Sequence, residues 1–196
     1  MARGKPPRHR VAFSAVVTIG GTGVMVLGAL LAAALAALVA LLVRRRLGPV
    51  HAVLVAGLLW SLLVIAVVTL VPAQWGTGIV PAETRSPTCS WDYGGPAPEG
   101  FWVLGGTQRT LNTLLFVPAG AFGVLAFAGW WAWRWIPLGF AGLAAYSIGI
   151  ETGQLALARI DRACDVTDVV DNVTGAAIGV VIGLLLAAVL RPWRRY

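Results

Sequence analysis

The sequence predicts an all-α protein, a polytopic transmembrane helical bundle with about five spans in the cell membrane. Hydrophobic residues make up 58% of its 196 residues, and charged residues only 12%. Several apolar runs reach the roughly 18–20 residues that cross the hydrocarbon core of a bilayer. The alternation of polar and apolar residues that marks membrane β-strands is absent. These observations exclude both an ordinary soluble domain and a membrane barrel.

Charged residues and prolines set the boundaries of the predicted spans. Glycines near residue 20 precede the first span, Arg44–Arg46 end it, and Pro72 ends the second. A tryptophan-rich turn at residues 130–135, of the kind that favours the headgroup interface, separates the third span from the fourth. The five predicted spans cover residues 21–43, 50–71, 109–128, 136–158 and 168–190.

The basic residues predict how the chain is arranged across the membrane. The net charge is +7, but the basic residues flank apolar runs as in cytoplasmic loops, so they do not indicate a nucleic-acid partner. We predict a two-span region with a basic tail and a long exoplasmic loop (1–108), a three-span core (109–190) and a basic cytoplasmic tail (191–196). Placing the three basic segments that follow the first, third and fifth spans in the cytoplasm leaves the basic N-terminus outside. The sequence therefore leaves the orientation of the N-terminus open.

The two cysteines lie in loops that any alternating topology places on one face of the membrane. If that face is exoplasmic, oxidising conditions permit a disulfide between Cys89 and Cys164. The alternative is two unrelated thiols. No cysteine or histidine spacing indicates zinc, and the sequence predicts neither a metal site nor a cofactor.

A polar cluster stands out in the C-terminal half of the chain. Five of the eight acidic residues lie between Glu151 and Asn172. Ionisable groups at membrane depth are costly, so they usually face a partner or a wet cavity. Glu151 and Gln154 share a face of the fourth span. The candidate polar site comprises Arg109, Asn112, Glu151, Gln154, Arg162, Asp165, Asp168 and Asn172.

A stripe of small residues continues from this cluster along the fifth span. Asp168, Asn172, Gly175, Gly179 and Gly183 follow one another at steps of three or four. The three glycines predict close helix packing, and we expect the fourth span, joined by a short loop, to be the antiparallel partner. Asp171 is not included in the site: a three-carboxylate metal site with Asp165 and Asp168 is disfavoured, because two steps of three residues fall about 120° short of two full turns and Asp171 drifts off the face of the other two.

Three motifs in the last three spans resemble the VanZ-like family of small bacterial membrane proteins. The segment from Arg109 to Gly120 is similar to the family's R-x-x-N-x-x-x-F-x-P-x-G, and Glu151-x-x-Gln154 to its E-x-x-Q. The run from Arg162 through Asp168 and Asn172 to Gly179 is similar to its closing segment. The resemblance covers residues 109–183 and leaves Arg159 and Asp161 as bystanders. It implies a cell-envelope protein with an expected link to teicoplanin susceptibility, but supplies no reaction.

Several functions are compatible with this cluster. In a purely structural role, an arginine neutralises Glu151, Asp165 or Asp168, and the amides fix the helix register. The leading hypothesis is binding of an envelope lipid or lipid-linked precursor, with arginines on phosphate. The alternatives are a membrane-embedded enzyme that uses a Glu or Asp base on a lipid headgroup, and a non-catalytic assembly partner that docks through the glycine stripe. The sequence predicts the bilayer as a partner and leaves catalysis and oligomeric state open.

Overall fold

A computed structural model describes residues 20–72, 88–94, 107–127, 132–157 and 164–190. Within these ranges the regular elements are helical: α1 (Thr22–Leu70), α2 (Thr107–Phe127), α3 (Ile136–Leu157) and α4 (Val166–Leu190). A short 3-10 helix, Ala132–Trp135, leads into α3. Three of the described helices, α1, α2 and α4, are long and apolar enough to cross a membrane. The all-α class is confirmed, whereas about five spans is more than these helices show.

The first two predicted spans both fall within α1. Its backbone is non-helical at Gly48, where φ is 76° and ψ is 160°, a conformation largely restricted to glycine. Pro49 follows at the start of the next turn, where its missing N–H leaves no hydrogen bond unmade. The three arginines Arg44–Arg46 lie within the helix and do not end it. Residues 22–47 and 49–70 therefore form two arms of α1.

The two arms fold back on each other. The Gly21 amide donates to the Pro72 carbonyl at 2.8 Å, which joins the far ends of the two arms. Trp60 Nε1 donates to the Ala29 carbonyl at 3.2 Å. A straight helix of 49 residues would be about 74 Å long, so contacts between its ends require a turn near Gly48. α1 is thus a helical hairpin.

The core joins the second arm of α1 to the other three helices. Tyr146 on α3 donates its hydroxyl to the Leu62 carbonyl on that arm at 2.8 Å. Phe122 on α2 packs where Gly57 on the arm leaves room. The buried apolar cluster comprises Ile65, Phe116, Ala119, Leu143, Ile150 and Ala176.

The glycine stripe of α4 packs against α2. A Cβ atom added at Gly175, Gly179 or Gly183 would collide with a backbone oxygen of α2, belonging to Thr113, Val117 and Ala121 respectively. Gly120 on α2 meets the backbone of α4 in return. The expectation that α3 is the stripe's partner is therefore wrong. The short loop makes α3 a neighbour of α4. The glycine side of α4 instead packs against α2, because the absence of Cβ atoms lets the α2 backbone approach closely there.

Candidate functional site

A disulfide-linked segment lies beside the polar end of the bundle. We call residues 88–94 the strap. Cys89 in the strap is bonded to Cys164, which lies two residues before the start of α4. The Ser90 amide donates to the Cys164 carbonyl at 2.8 Å, and the Val166 amide donates to the Ser90 carbonyl at 3.0 Å. Of the two sequence alternatives for the cysteines, the structure contains the disulfide.

Arg109 at the start of α2 is bound side-on by Asp171 of α4. Its Nε donates to Asp171 Oδ2 at 2.9 Å and its Nη2 to Oδ1 at 2.8 Å. Nη2 also donates to the Tyr93 hydroxyl at 2.9 Å, and the guanidinium carbon lies 5.1 Å from the centre of the Tyr93 ring. Asp171 is 0% exposed. Such a bidentate pair is among the stronger charge-assisted contacts in proteins.

Two amides extend this network between helices. Asn112 Nδ2 on α2 donates to Asp168 Oδ1 on α4 at 2.7 Å. Asn172 Nδ2 donates to Ser147 Oγ on α3 at 3.0 Å. α4 thus contacts both neighbouring helices through polar side chains at its N-terminal end.

Asp165 and Glu151 organise the start of α4. Asp165 Oδ1 accepts the amide of Thr167 at 2.8 Å, the hydrogen bond of a helix N-cap. The amide of Asp165 itself donates to Glu151 Oε2 at 3.2 Å. Thr167 Oγ1 accepts the amide of Gly94, so the strap also reaches the first turn of α4. Glu151 is buried at the end of α3.

Gln154 joins α3 to the end of α1. Its Nε2 donates to the Thr69 carbonyl at 2.9 Å. Carbonyls in the last turn of a helix have no partner within the helix, so this side chain satisfies one of them. Gln154 Oε1 and Asn172 Oδ1 are buried and have no hydrogen-bond partner within the described part of the chain.

Most of the predicted site residues converge at this end of the bundle. Arg109, Asn112, Glu151, Gln154, Asp165, Asp168 and Asn172 all contact another element there. Arg162, Arg159 and Asp161 lie outside the described residues. Among the residues that the structure describes, no group of three or more His, Cys, Asp or Glu side chains is placed to hold a metal ion.

The sequence prediction missed the principal partner of Arg109. An angle counted from Asp165 excludes Asp171, but Asp165 precedes α4 and only caps it. Counted from Asp168 inside α4, Asp171 lies about 60° to one side and Asn172 about 40° to the other. The predicted span already begins at Asp168, so counting from Asp168 would have kept Asp171 in the site. Nothing in the sequence pattern indicated Tyr93.

An apolar groove adjoins the polar cluster. It has a volume of about 310 Å³ and lies between α2 and α3, with further walls from α1 and α4. Gly139, Phe140, Leu143 and Tyr146 line it from α3. Ser147, the next residue, belongs to the polar cluster. The groove and the cluster are therefore contiguous along one helix.

A family model places the chain among known proteins. The model of the VanZ/LLP1 family matches residues 58–187, more than half of the chain. This protein belongs to the VanZ/LLP1 family. The match begins well before residue 109, where the motif resemblance began, and includes part of the second arm of α1 and the strap. No curated protein and no solved structure gives a significant match to the chain.

The VanZ-like motifs have a physical explanation in this fold. On α2, Arg109 and Asn112 bond acidic residues of α4, Phe116 lies fully buried in the core, and Gly120 meets the α4 backbone. Their spacing of three or four residues places them on the side of α2 that faces α4. The motif of α2 is therefore complementary to the stripe of α4.

Proposed function

We propose that this VanZ/LLP1 protein binds an amphiphile of the bacterial cell envelope, either a lipid or a lipid-linked precursor. The groove between α2 and α3 receives a hydrocarbon chain, and the polar cluster beside it receives the head group. The observation that carries the proposal is the inner side of α3, which is apolar along the groove and becomes polar at Ser147. The polarity changes along the helix, as it does along a lipid molecule.

The composition of the groove supports a hydrocarbon ligand. Among the described residues, its wall contains aromatic and aliphatic side chains such as Phe127, Phe140 and Leu143, and no ionisable side chain apart from Tyr146. The Tyr146 hydroxyl is already bonded to a backbone carbonyl. Binding a chain there buries apolar surface on both partners and strands no polar group.

We further propose that the protein crosses the membrane five times. The two arms of α1 have 26 and 22 residues on either side of Gly48, and α3 has 22. At about 1.5 Å per residue each spans at least about 33 Å, enough for a hydrocarbon core of about 30 Å. In this arrangement the polar cluster lies near one membrane face.

Filling the groove tests the proposal. A Cβ atom added at Gly139 would meet nothing within 4 Å, and this glycine lines the groove. Gly139→Leu should therefore fold and exclude the chain. We expect it to lower saturable labelling by a phospholipid with a photoreactive acyl chain by about ten-fold or more, because displacing two buried methylenes costs about 1.6 kcal/mol. Labelling is measured on purified protein in nanodiscs, with excess unlabelled lipid as competitor.

Gly149→Leu is the matched control. Gly149 lies on the same helix, also has nothing within 4 Å of an added Cβ, and does not line the groove. It should label like the wild type. Equal labelling of Gly139→Leu and Gly149→Leu would contradict binding in the groove. The expected link to teicoplanin susceptibility rests on the family resemblance. It is tested by comparing the teicoplanin susceptibility of cells that produce Gly139→Leu with that of cells that produce Gly149→Leu.

A further inference from the structure

Three consecutive arginines, Arg44–Arg46, lie exposed near the end of the first arm of α1. Each step along a helix turns by about 100°, so the three side chains fan out over about 200° of the helix surface. They point in different directions and do not form a pocket around one group. A partner that matches all three must therefore be extended and must meet the arm from more than one side.

Within the described part of the chain, these arginines have no carboxylate near them. The described acidic residues lie in the strap, at the end of α3 and at the start of α4, which is the opposite end of the bundle. The sequence has no acidic residue before Glu83, between Glu99 and Glu151, or after Asp171. No ion pair between described residues involves Arg44–Arg46. Their charge is therefore presented to the surroundings of the arm.

The surface beside the arginines indicates what these surroundings are. Leu38, Leu41 and Leu42 directly precede the arginines on the arm, and each is more than half exposed. Residues 22–43 extend over about 33 Å, close to the roughly 30 Å of a hydrocarbon core. The arginines therefore begin where the core ends, at the level of the lipid phosphates. A lipid surface accounts for the leucines and the arginines together, whereas an acidic soluble protein accounts only for the arginines.

From these observations we propose that Arg44–Arg46 hold a shell of anionic phospholipids around the turn of α1, on the membrane face opposite the strap. Guanidinium groups bind phosphate oxygens through parallel N–H donors, and their charge favours head groups with a net negative charge over zwitterionic ones. The inference rests on the proposed crossing of the first arm, but not on ligand binding in the groove. The family model matches from residue 58 onward, so the arginines are a feature of this chain outside the matched region.

A fluorophore placed beside the arginines tests which lipids surround them. Leu42 is 70% exposed and lies three and four residues before Arg45 and Arg46, on the same face of the helix. The two native cysteines are joined in the disulfide, so Leu42→Cys can be labelled specifically with bimane. The full chain is placed in phosphatidylcholine nanodiscs that contain a small fraction of nitroxide-labelled lipid, either phosphatidylglycerol or phosphatidylcholine. A nitroxide quenches only at short range, so quenching reports the lipids next to the arginines.

We expect phosphatidylglycerol to associate beside this fluorophore about five-fold more strongly than phosphatidylcholine, because each basic residue near the surface attracts anionic lipid. Adding Arg45→Gln and Arg46→Gln should reduce the preference to below about two-fold. Arg45→Lys and Arg46→Lys keep the charge and should retain most of it. Leu111→Cys is the matched control: Leu111 is 60% exposed near the start of α2, at the acidic end, and bimane there should show no preference for phosphatidylglycerol.

The outcomes separate this proposal from those above. Equal quenching by the two lipids at Leu42→Cys would overturn the lipid shell in favour of a soluble acidic partner. A preference that survives the glutamine changes, or an equal preference at Leu111→Cys, would also overturn it. If neither lipid quenches at Leu42→Cys while both quench at Leu111→Cys, the first arm lies outside the bilayer, and the proposed five crossings fail together with the shell. Gly139→Leu should leave the preference unchanged, because the groove takes no part in it.

Discussion

The Arg109–Asp171 pair is the best-defined charge interaction in the polar cluster. Both side chains are almost fully buried, and the guanidinium is held from two sides by the carboxylate and by Tyr93. A buried pair of this kind costs desolvation on both partners, so its presence says little about net stability. It does place α2 and α4 in one register, because the fork of Arg109 fits one carboxylate only.

We expect Asp171→Asn to destabilise the protein by about 3 kcal/mol or more, because it leaves Arg109 as an uncompensated buried charge. Asp165→Asn is the matched change, and it should cost less than about 0.5 kcal/mol because asparagine caps helices as well as aspartate does. Chemical unfolding in detergent micelles measures both.

Adding Arg109→Gln to Asp171→Asn removes the unpaired charge, so at least half of the lost stability should return. Equal losses of stability in Asp171→Asn and Asp165→Asn would show that the Arg109–Asp171 pair does not hold α2 and α4 together.

The residues of the site were partly predictable from the sequence. Arg109, Asn112 and Asn172 were identified because polar groups in an apolar helix need partners. Asp171 escapes the prediction because its angle is counted from Asp165, which lies before α4 and caps it. Tyr93 depends on the disulfide, and no periodicity in the sequence places the strap over Arg109.

At the scale of elements, α2 and α4 form the closest pair in the described bundle. Backbone oxygens of α2 lie where side chains of Gly175, Gly179 and Gly183 would begin. The stripe is therefore used within the chain, which removes the basis for an assembly partner docking there. The prediction that a helix packs closely on the glycine stripe is confirmed. The spacing of residues along one helix does not identify which helix faces it.

Gly179→Leu should prevent the folding of the monomer or destabilise it by at least about 3 kcal/mol, since the backbone carbonyl of Val117 cannot move aside as a side chain can. Gly149→Leu introduces the same side chain into open space on α3 and should change stability little. Size-exclusion profiles and thermal unfolding in detergent measure the difference. A stable Gly179→Leu monomer that had lost a partner protein would restore the docking hypothesis.

In the described part of the chain, the two ends of the bundle differ in charge. The strap, its disulfide and the acidic residues lie at one end, where Gln154 meets Thr69. The exposed arginines Arg44–Arg46 precede the turn of α1 at Gly48, at the other end. The sequence predicted this segregation from loop composition, but it could not show that α1 turns at one glycine, because two apolar arms also fit a single long helix.

This asymmetry predicts the orientation of the protein. Disulfides persist on the oxidising side of a membrane, and short basic segments stay in the cytoplasm. After mild reduction of intact cells by an impermeant phosphine, an impermeant maleimide should label Cys89 and Cys164 from outside. Single cysteines introduced at Arg45 or Arg134, in a chain without Cys89 and Cys164, should label only after the membrane is permeabilised.

The same labelling experiment tests the number of crossings. Arg45 lies near the end of the first arm and Arg134 precedes α3. With Cys89 outside between them, both lie inside only if the second arm and α2 each cross the membrane. Labelling of Arg45→Cys from outside, with Arg134→Cys still protected, would mean that the two arms do not cross separately. The polar cluster would then keep its exoplasmic position through the disulfide, and only the path of α1 would change.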